Sequence, residues 1–413
     1  SVELPQQRVQ HYKLALNSNV LLGENRLRST IAYQNNRRRE FEESGSIPAL
    51  FMDLKTYSYD LKYYSKPTAG WEPVLGVAGM FQDNNNRAEE RLIPDYRASD
   101  VGIFAFLKKS WTKTSINFGA RYNYRHINGT ATEEEGEIKF PEFKNNFSNL
   151  SGAVGLTYEF NSRLTMKANV GKAFRAPNIA ELGSNGVHEG TFRYEIGNAA
   201  LNPENSYYAD ISFEYDTDKL HAAISAFNNY IDNYIYYRQI NGETMVVGGE
   251  TLPVFRYVQD NANLYGVEAE FTYHPVELIH FDNSFSYTVG RNNSANSPLP
   301  DIPAARIRNE LRFEPELRSE KWRNPYLSIE LDNAFSQSRI DIFETASKAY
   351  SLVNLGLGTT FLIKKQPVQF NITVNNLFDK AYTNHLSRLR YVGILDRGRD
   401  VSFGIQIPIV FSR

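Results

Sequence analysis

The 413-residue sequence predicts an all-β protein, an antiparallel transmembrane β-barrel with about 17 strands. Three observations predict this class. Apolar and polar residues alternate through many segments of roughly 10 to 16 residues, tyrosine and phenylalanine occur 26 times each, and short links alternate with long polar ones. The aromatic content favours strands, because aromatic side chains suit a pleated sheet and crowd a helix.

The clearest alternation closes the chain. From Val401 to Phe411 every second residue is apolar, and Ile116–Tyr124, Leu164–Val170 and Val368–Val374 repeat the pattern. Residues at every second position share one face of a strand. The sequence offers no amphipathic helix to cover these faces, so we expect them to contact the lipid of an outer membrane.

Composition excludes several other classes of protein. No run approaches about 18 consecutive apolar residues, so a membrane-spanning helix is not expected. The chain has no cysteine, which excludes disulfides and thiolate metal sites. Its net charge of -2 argues against a nucleic-acid partner bound through phosphate neutralisation. The first residues do not resemble a signal peptide, which predicts a mature or cut product.

The links between the predicted strands alternate in length, as they do in barrels with short periplasmic turns and long outer loops. The short links lie near residues 23–25, 111–113, 160–162, 216–219, 274–277 and 364–366, and the long stretches span roughly residues 39–48, 84–99, 128–145, 175–204, 240–253, 291–303, 336–348 and 378–398. Closed bacterial barrels have even strand numbers, so an odd count indicates an error of one or an incomplete barrel.

Several strings resemble one family. NNLFDKAY at residues 375–382, followed by the closing strand, resembles the C-terminal signature of TonB-dependent outer-membrane receptors. GKAFRAPNIAEL at 171–182, YEIGNAALNPENS at 194–206, FNNYIDNYI at 227–235 and NANLYGVEAE at 261–270 resemble the same family in the same order. The resemblance covers essentially the whole chain.

The resemblance implies a 22-stranded barrel, an N-terminal plug and a box contacted by TonB. Neither plug nor box is visible in the sequence, so we expect residues 1–413 to be the C-terminal portion of such a barrel. The segment near residues 11–22 then becomes the sixth strand of the family barrel, which explains the odd count. Its first and last strands are expected to lack their family partners, which leaves an unpaired edge.

The long stretch 175–204 is the first candidate ligand loop. Haem receptors of the family carry a FRAP box and an NP box around a histidine, which residues 174–177, His188 and 202–203 resemble. Zinc-type receptors carry a string like ELxxNGxHxGTxxYExGN, which residues 181–198 follow more closely.

A neutral imidazole ligates haem iron or zinc, so His188 is a candidate metal ligand, with Glu181 or Glu189 as a neighbouring carboxylate. Glu189, Arg193 and Tyr194 of the same string are candidate ligand contacts. The alternative is that His188 caps or hydrogen-bonds a glycine-rich loop and binds no metal.

The stretch 378–399 is the second candidate loop, because its basic residues include His385, Arg388 and Arg390. A loop rich in basic and aromatic residues at the outer end of a barrel attracts an anionic chelate such as a ferric siderophore. The alternative is that these cations pair with lipopolysaccharide phosphates. The acidic run 133–137 offers carboxylates to a divalent cation, or is a solvated loop.

No catalytic motif emerges, and the other histidines, at positions 11, 126, 221, 274 and 280, lack ligand spacing. The expected protein is an outer-membrane receptor without an intrinsic cofactor, whose partners are membrane lipid, TonB and a transported metal chelate. A ferric siderophore is the first cargo hypothesis, and zinc or haem held by His188 is the second. A passive porin or an adhesin is the alternative of a different class.

Overall fold

The computed structural model describes residues 4–42, 44–134, 136–188, 193–317, 319, 321–364 and 366–409. The strands are β1 (Gln6–Leu22), β2 (Asn25–Phe41), β3 (Leu50–Tyr64), β4 (Trp71–Asn86), β5 (Tyr96–Ser110), β6 (Thr114–Gly129), β7 (Thr132–Glu134), β8 (Glu137–Phe140), β9 (Phe143–Glu159), β10 (Leu164–Arg175), β11 (Asn185–His188), β12 (Arg193–Ile196), β13 (Glu204–Asp216), β14 (Leu220–Val247), β15 (Glu250–Val276), β16 (Ile279–Asn292), β17 (Ser297–Pro298), β18 (Arg306–Phe313), β19 (Trp322–Ala334), β20 (Tyr350–Ile363), β21 (Gln366–Asn375) and β22 (Asp400–Gln406). A short helix α1 (Ile179–Gly183) and a 3-10 helix (Arg388–Val392) complete the described elements.

The all-β prediction is confirmed. Among the described residues, seventeen strands span seven residues or more, and five short ones lie in the connections. The predicted count of about 17 therefore matches the long strands. No helix in the described part of the chain has the length and apolar character needed to cross a membrane.

The chain divides into two compact units. The first contains residues 1–156, 169–208 and 230–262, and the second contains residues 157–168, 209–229 and 263–413. In the first unit, β1 to β6 form an antiparallel meander in which each strand pairs with the next. Its first turn is tight because Leu22 pairs with Asn25, and Gly23 supplies the positive φ of +62° that this turn requires.

The second unit contains another antiparallel series. β16 pairs with β18, and β18 to β22 then pair in chain order. In the last pair Phe370 lies opposite Ile405, and Ile372 lies opposite Phe403. The register therefore brings the apolar residues of β21 and β22 to one face.

The apolar faces are exposed. Leu14 on β1 is 73% exposed and Phe403 on β22 is 76% exposed, and apolar residues of most other long strands share this property. A soluble sheet buries such a face on a second layer, because exposing it to water costs about 25 cal/mol per Å². Exposure on this scale agrees with the predicted contact with lipid.

The core of the first unit lies beneath the first candidate loop. Its buried cluster consists of Tyr96, Ala98, Ile127, Phe143, Phe147, Leu182, Leu201 and Ile235. Leu182 belongs to α1 and Leu201 precedes β13, so the loop contributes its own apolar side chains to this core. Burial of both ends anchors the loop.

Two segment boundaries predicted from the sequence were wrong, those of the loop at residues 240–253 and of the closing strand. The stretch 240–253 is mostly strand, because β14 continues to Val247 and β15 begins at Glu250. Gly248 and Gly249 have φ of +58° and +86°, so two residues suffice to reverse the chain. The closing strand β22 ends at Gln406, shortly before Pro408, which has no N–H to donate to a neighbour. Phe411 lies outside the described residues.

The exposed apolar face leads to a stability prediction. Phe370→Arg places a charge on the apolar face of β21, so we expect a loss of about 2–4 kcal/mol when the strand lies in lipid. Thr373→Arg, on the opposite face of the same strand, is the matched control and should change stability little. Guanidinium unfolding in lipid vesicles measures both variants. Equal losses for the two would contradict a lipid-facing assignment.

Candidate functional site

The first candidate loop opens with the capped helix α1. The side chain of Asn178 accepts a hydrogen bond from the backbone N–H of Glu181 at 3.0 Å, and the Glu181 carboxylate accepts from the backbone N–H of Asn178 at 2.8 Å. This reciprocal capping box satisfies two donors at the helix N-terminus. The NIAEL string within the family resemblance therefore encodes a local structural element.

Arg175 joins the two ends of this loop. Its Nη1 lies 2.8 Å from each carboxylate oxygen of Glu181, while Nε and Nη2 each donate to Glu204 at 2.7 Å. Glu204 also accepts the backbone N–H of Ile235 at 2.7 Å. Both carboxylates are largely buried, so their charges need this guanidinium. We call this set the Arg175 clamp. The FRAP and NPEN strings supply its arginine and its second glutamate.

The short strands β11 and β12 form the tip of the loop. They are antiparallel, with His188 opposite Arg193. Tyr194 donates its hydroxyl hydrogen to the side-chain oxygen of Asn185 at 2.8 Å. Burial and the carboxylate of Glu134 raise the pKa of Tyr194, which keeps the phenol protonated and able to donate. The side chain of His188 and all of Glu189 lie outside the described residues.

Arg193 is buried, with 8% of its surface exposed. Its Nε donates to Glu195 at 2.7 Å, and its guanidinium lies 3.9 Å from the ring centre of Tyr237. Tyr257 donates to the second oxygen of Glu195 at 3.2 Å. An anionic ligand would have to displace Glu195 in order to bind Arg193. A role for Arg193 in ligand contact therefore stays a prediction that requires rearrangement.

A cavity of about 950 Å³ lies beside β11. Asn185, Gly186, Val187 and Tyr194 form part of its wall. Its other lining residues include six glutamates and two cations, namely Glu42, Glu89, Glu90, Glu134, Glu137, Glu250, Arg91 and Lys139. Lys139 pairs with Glu134 at 2.5 Å, so most of the remaining charge is negative. The cavity therefore favours a ligand that is neutral or positively charged.

The second candidate loop buries the side chains of two of its basic residues, His385 and Arg390. His385 is 3% exposed, and its Nδ1 lies 2.6 Å from Nη1 of Arg390 and 3.1 Å from the hydroxyl of Ser347. Arg390 donates from Nη2 to Glu344 at 3.1 Å. Arg388 begins the 3-10 helix and is exposed, so it alone of the three presents its charge outward. We call His385, Arg390 and Glu344 the loop cluster.

Burial, together with the positive charge of Arg390, lowers the pKa of His385, although Glu344 and Asp301 oppose the shift. The imidazole is consequently neutral at neutral pH and accepts at Nδ1 from Arg390. The sequence showed the basic residues, but the partner Glu344 belongs to another loop and was not predicted. No group of three or more His, Cys, Asp or Glu arranged to hold a metal occurs within the described ranges.

Comparison with known proteins gives a consistent result. A family model described as "TonB dependent receptor-like, beta-barrel" matches residues 5–377. The "Iron-regulated outer membrane virulence protein" of Vibrio cholerae serotype O1 is 23% identical over 345 residues, covering 81% of this chain and 48% of the relative. The "Vitamin B12 transporter BtuB" of Photobacterium profundum is 23% identical, covering 66% of this chain and 43% of the relative. The chain thus spans about half the length of these curated relatives.

Solved structures show the same fold at low sequence identity. The "Copper transporter OprC" has a TM-score of 0.75 and 18% identity, covering 95% of this chain and 63% of that one. The FrpB iron transporter of Neisseria meningitidis, F5-1 variant, has a TM-score of 0.73 and 14% identity, covering 97% and 64%. These likenesses show the fold and leave the ligand open. The family model is one of receptors and three of the four proteins named here are transporters, which agrees with the predicted lack of enzyme activity.

The Arg175 clamp gives the first test of this site. Arg175→Lys keeps the charge but cannot bond two carboxylates through a guanidinium fork, so we expect a loss of about 2 kcal/mol and faster proteolysis within residues 176–203. Arg97→Lys changes an exposed pair with Asp83 and should cost less than about 1 kcal/mol. Denaturant unfolding and limited proteolysis measure both. Equal behaviour of the two variants would show that the clamp is dispensable.

The loop cluster should respond to pH. Because the pKa of His385 is lowered in the folded state, the unfolded state binds the proton first as pH falls from about 6.5 towards the folded value. The cluster therefore loses stability over that window and regains it as pH rises. After each rate is corrected for the intrinsic pH dependence of amide exchange, we expect weaker protection of residues 336–348 at about pH 5 than at about pH 7.5. His385→Gln should remove most of this difference, whereas His126→Gln should preserve it.

Proposed function

Because the chain belongs to the TonB-dependent receptor family, we propose that it is the barrel part of an outer-membrane receptor that captures a metal chelate, with a ferric siderophore as the first cargo. The cavity beside β11 carries this proposal. Its volume of about 950 Å³ lies in the range of small-molecule sites, which is about 300–1,000 Å³. Relatives named for iron regulation and iron transport support iron as the metal.

The charge of the cavity wall restricts the net charge of the cargo that it can bind. Six glutamates face two cations in its wall, so a strongly anionic chelate is repelled and a neutral or positive one is attracted. Of the basic residues expected to bind an anion, His385 and Arg390 are paired with each other and with Glu344. A ferric chelate without net negative charge therefore fits this chain better than an anionic one.

The proposed partners of the receptor, namely lipid, cargo and TonB, are those that membership of the family implies. The exposed apolar strand faces contact outer-membrane lipid. The cargo binds among the outer loops and moves inward when TonB, powered by the inner-membrane proton gradient, acts on a plug. These steps belong to the whole receptor, of which this chain spans about half by comparison with its curated relatives.

Zinc or haem is the second candidate cargo, and the position of β11 favours it. Asn185, Gly186 and Val187 line the acidic cavity, and His188 is the next residue of that strand. Zinc accepts nitrogen and carboxylate oxygen ligands, which a histidine and the glutamates of the wall supply. A passive porin or an adhesin, the alternative of another class, predicts no saturable binding of any of these ligands.

A ligand panel tests the cargo. Isothermal titration of the full receptor with a positively charged ferric hydroxamate, an anionic ferric catecholate, zinc and haemin should show the tightest binding for the hydroxamate. Glu137→Gln and Glu250→Gln should each weaken binding of a positively charged ferric chelate severalfold, because each removes a charge from the cavity wall. Glu142→Gln is the control, since Glu142 pairs with Lys144 and does not line the cavity.

The panel also separates the two cargo candidates. If zinc or haemin binds more tightly than both ferric siderophores and His188→Ala abolishes that binding, the second candidate is correct. If His188→Ala leaves all four ligands unchanged, His188 has no part in the site. Saturable binding of none of them would sink the receptor proposal in favour of a passive barrel.

A further inference from the structure

Two histidines meet at the turn between β15 and β16. His274 lies near the end of β15 and His280 is the second residue of β16. Their Nδ1 atoms are 2.5 Å apart, and their ring centres are separated by 4.5 Å with the planes at 73°. Both side chains are half-buried. From this geometry we propose that the β15–β16 turn carries a binding site for a divalent transition metal, formed by His274 and His280.

The short separation restricts the protonation of the pair. Two lone pairs at this distance repel each other, and two N–H groups clash. One of the facing nitrogens must therefore carry a proton while the other accepts it. A cation between the two nitrogens takes the place of that proton, which moves to the Nε2 atom of the same ring, so that both Nδ1 lone pairs are available to the metal.

The surroundings of His280 identify which of its nitrogens accepts. Its Nε2 lies 3.0 Å from the backbone carbonyl oxygen of Glu277, which can only accept, so Nε2 carries the hydrogen in the neutral ring. The carboxylate of Glu314 lies 3.8 Å from the same nitrogen. Nδ1 of His280 therefore presents its lone pair to His274. In metal-binding histidines, the nitrogen that does not bind the metal usually donates its hydrogen to a carbonyl or a carboxylate, which fixes the orientation of the ring. Nε2 of His280 is placed in this way.

The local charge permits a cation. Arg312 lies opposite His280 in the strand register, but its Nε pairs with Glu314 at 2.5 Å and its guanidinium lies 4.0 Å from the ring centre of Tyr326. Glu277 is exposed at the turn and adds a negative charge. Lys219 also lies at this turn, where its Nζ donates to the backbone carbonyl of Pro275 at 3.2 Å. The carboxylates of Glu277 and Glu314 therefore balance the two cations, and the turn carries no net positive charge to oppose a metal ion.

The spacing favours square-planar metals. With a metal–nitrogen distance of about 2.0 Å, adjacent ligands are about 2.8 Å apart in a square plane and about 3.3 Å apart in a tetrahedron. The two Nδ1 atoms need to move apart by only about 0.3 Å to bind a metal as adjacent ligands of a square plane. Copper(II) and nickel(II) adopt it, and copper also binds imidazole more tightly than zinc does. Water completes the coordination, since the pair supplies two ligands.

A copper titration tests the site. The full chain, purified in detergent and freed of metal, should bind Cu²⁺ with an electron paramagnetic resonance spectrum showing two coordinated imidazole nitrogens. His274→Ala and His280→Gln should each weaken this binding at least tenfold. His11→Gln is the matched control, because that strand histidine bonds only to Asn36 among the contacts described. The apparent affinity order should be copper, then nickel, then zinc.

Two further measurements keep the outcome decisive. Binding of the ligand panel should be unchanged in His274→Ala and His280→Gln, which also shows that these variants fold and separates this site from the cargo cavity. The proposal is overturned if both variants bind Cu²⁺ as wild type does. It is equally overturned if the two-imidazole signal is lost in His188→Ala or His221→Gln while the hairpin variants keep it.

Discussion

The salt bridges of Arg175 with Glu181 and Glu204 hold the first candidate loop, and the rest of this region depends on them. One guanidinium joins the end of β10, the capped helix α1 and the start of β13, while Glu204 also accepts a backbone N–H from Ile235. Removing the guanidinium would leave two largely buried carboxylates without compensation, which is more costly than losing a surface pair. The strings that resemble ligand boxes therefore have a structural role that is independent of any cargo.

The same requirement explains why Arg193 and Arg390 are not free to bind a ligand, whereas the exposed Arg388 needs no such partner. Arg193 pairs with Glu195 within the first unit, and Arg390 pairs with Glu344 within the second. Each guanidinium is buried, and a buried charge needs a partner of opposite sign. Arginines in a loop form an anion site only if no carboxylate elsewhere in the fold pairs with them. With the partners included, the strongest charge beside the first loop is the negative wall of the cavity, whose glutamates belong to neighbouring segments.

The histidine pair shows the same limit of sequence reasoning. His274 and His280 are six residues apart, which matches no common ligand spacing on a helix or in a loop. The hairpin turn brings them to facing positions on β15 and β16, and the backbone of Glu277 sets the tautomer of His280. A pattern of turn residues between two histidines on predicted strands is the signal that could have indicated the pair.

The sequence by itself determined the all-β class, the number of long strands and the family. Those properties depend on local alternation and on short strings such as residues 375–382, and side chains on a strand alternate whatever its neighbours are. Only the tertiary structure decided that residues 240–253 form a hairpin and that glutamates from several segments line one cavity. It also decided that Glu195 pairs with Arg193 and that Glu344 pairs with Arg390. The reason is physical: burial and charge pairing depend on residues far apart in the chain, and the periodicity of one strand carries no information about them.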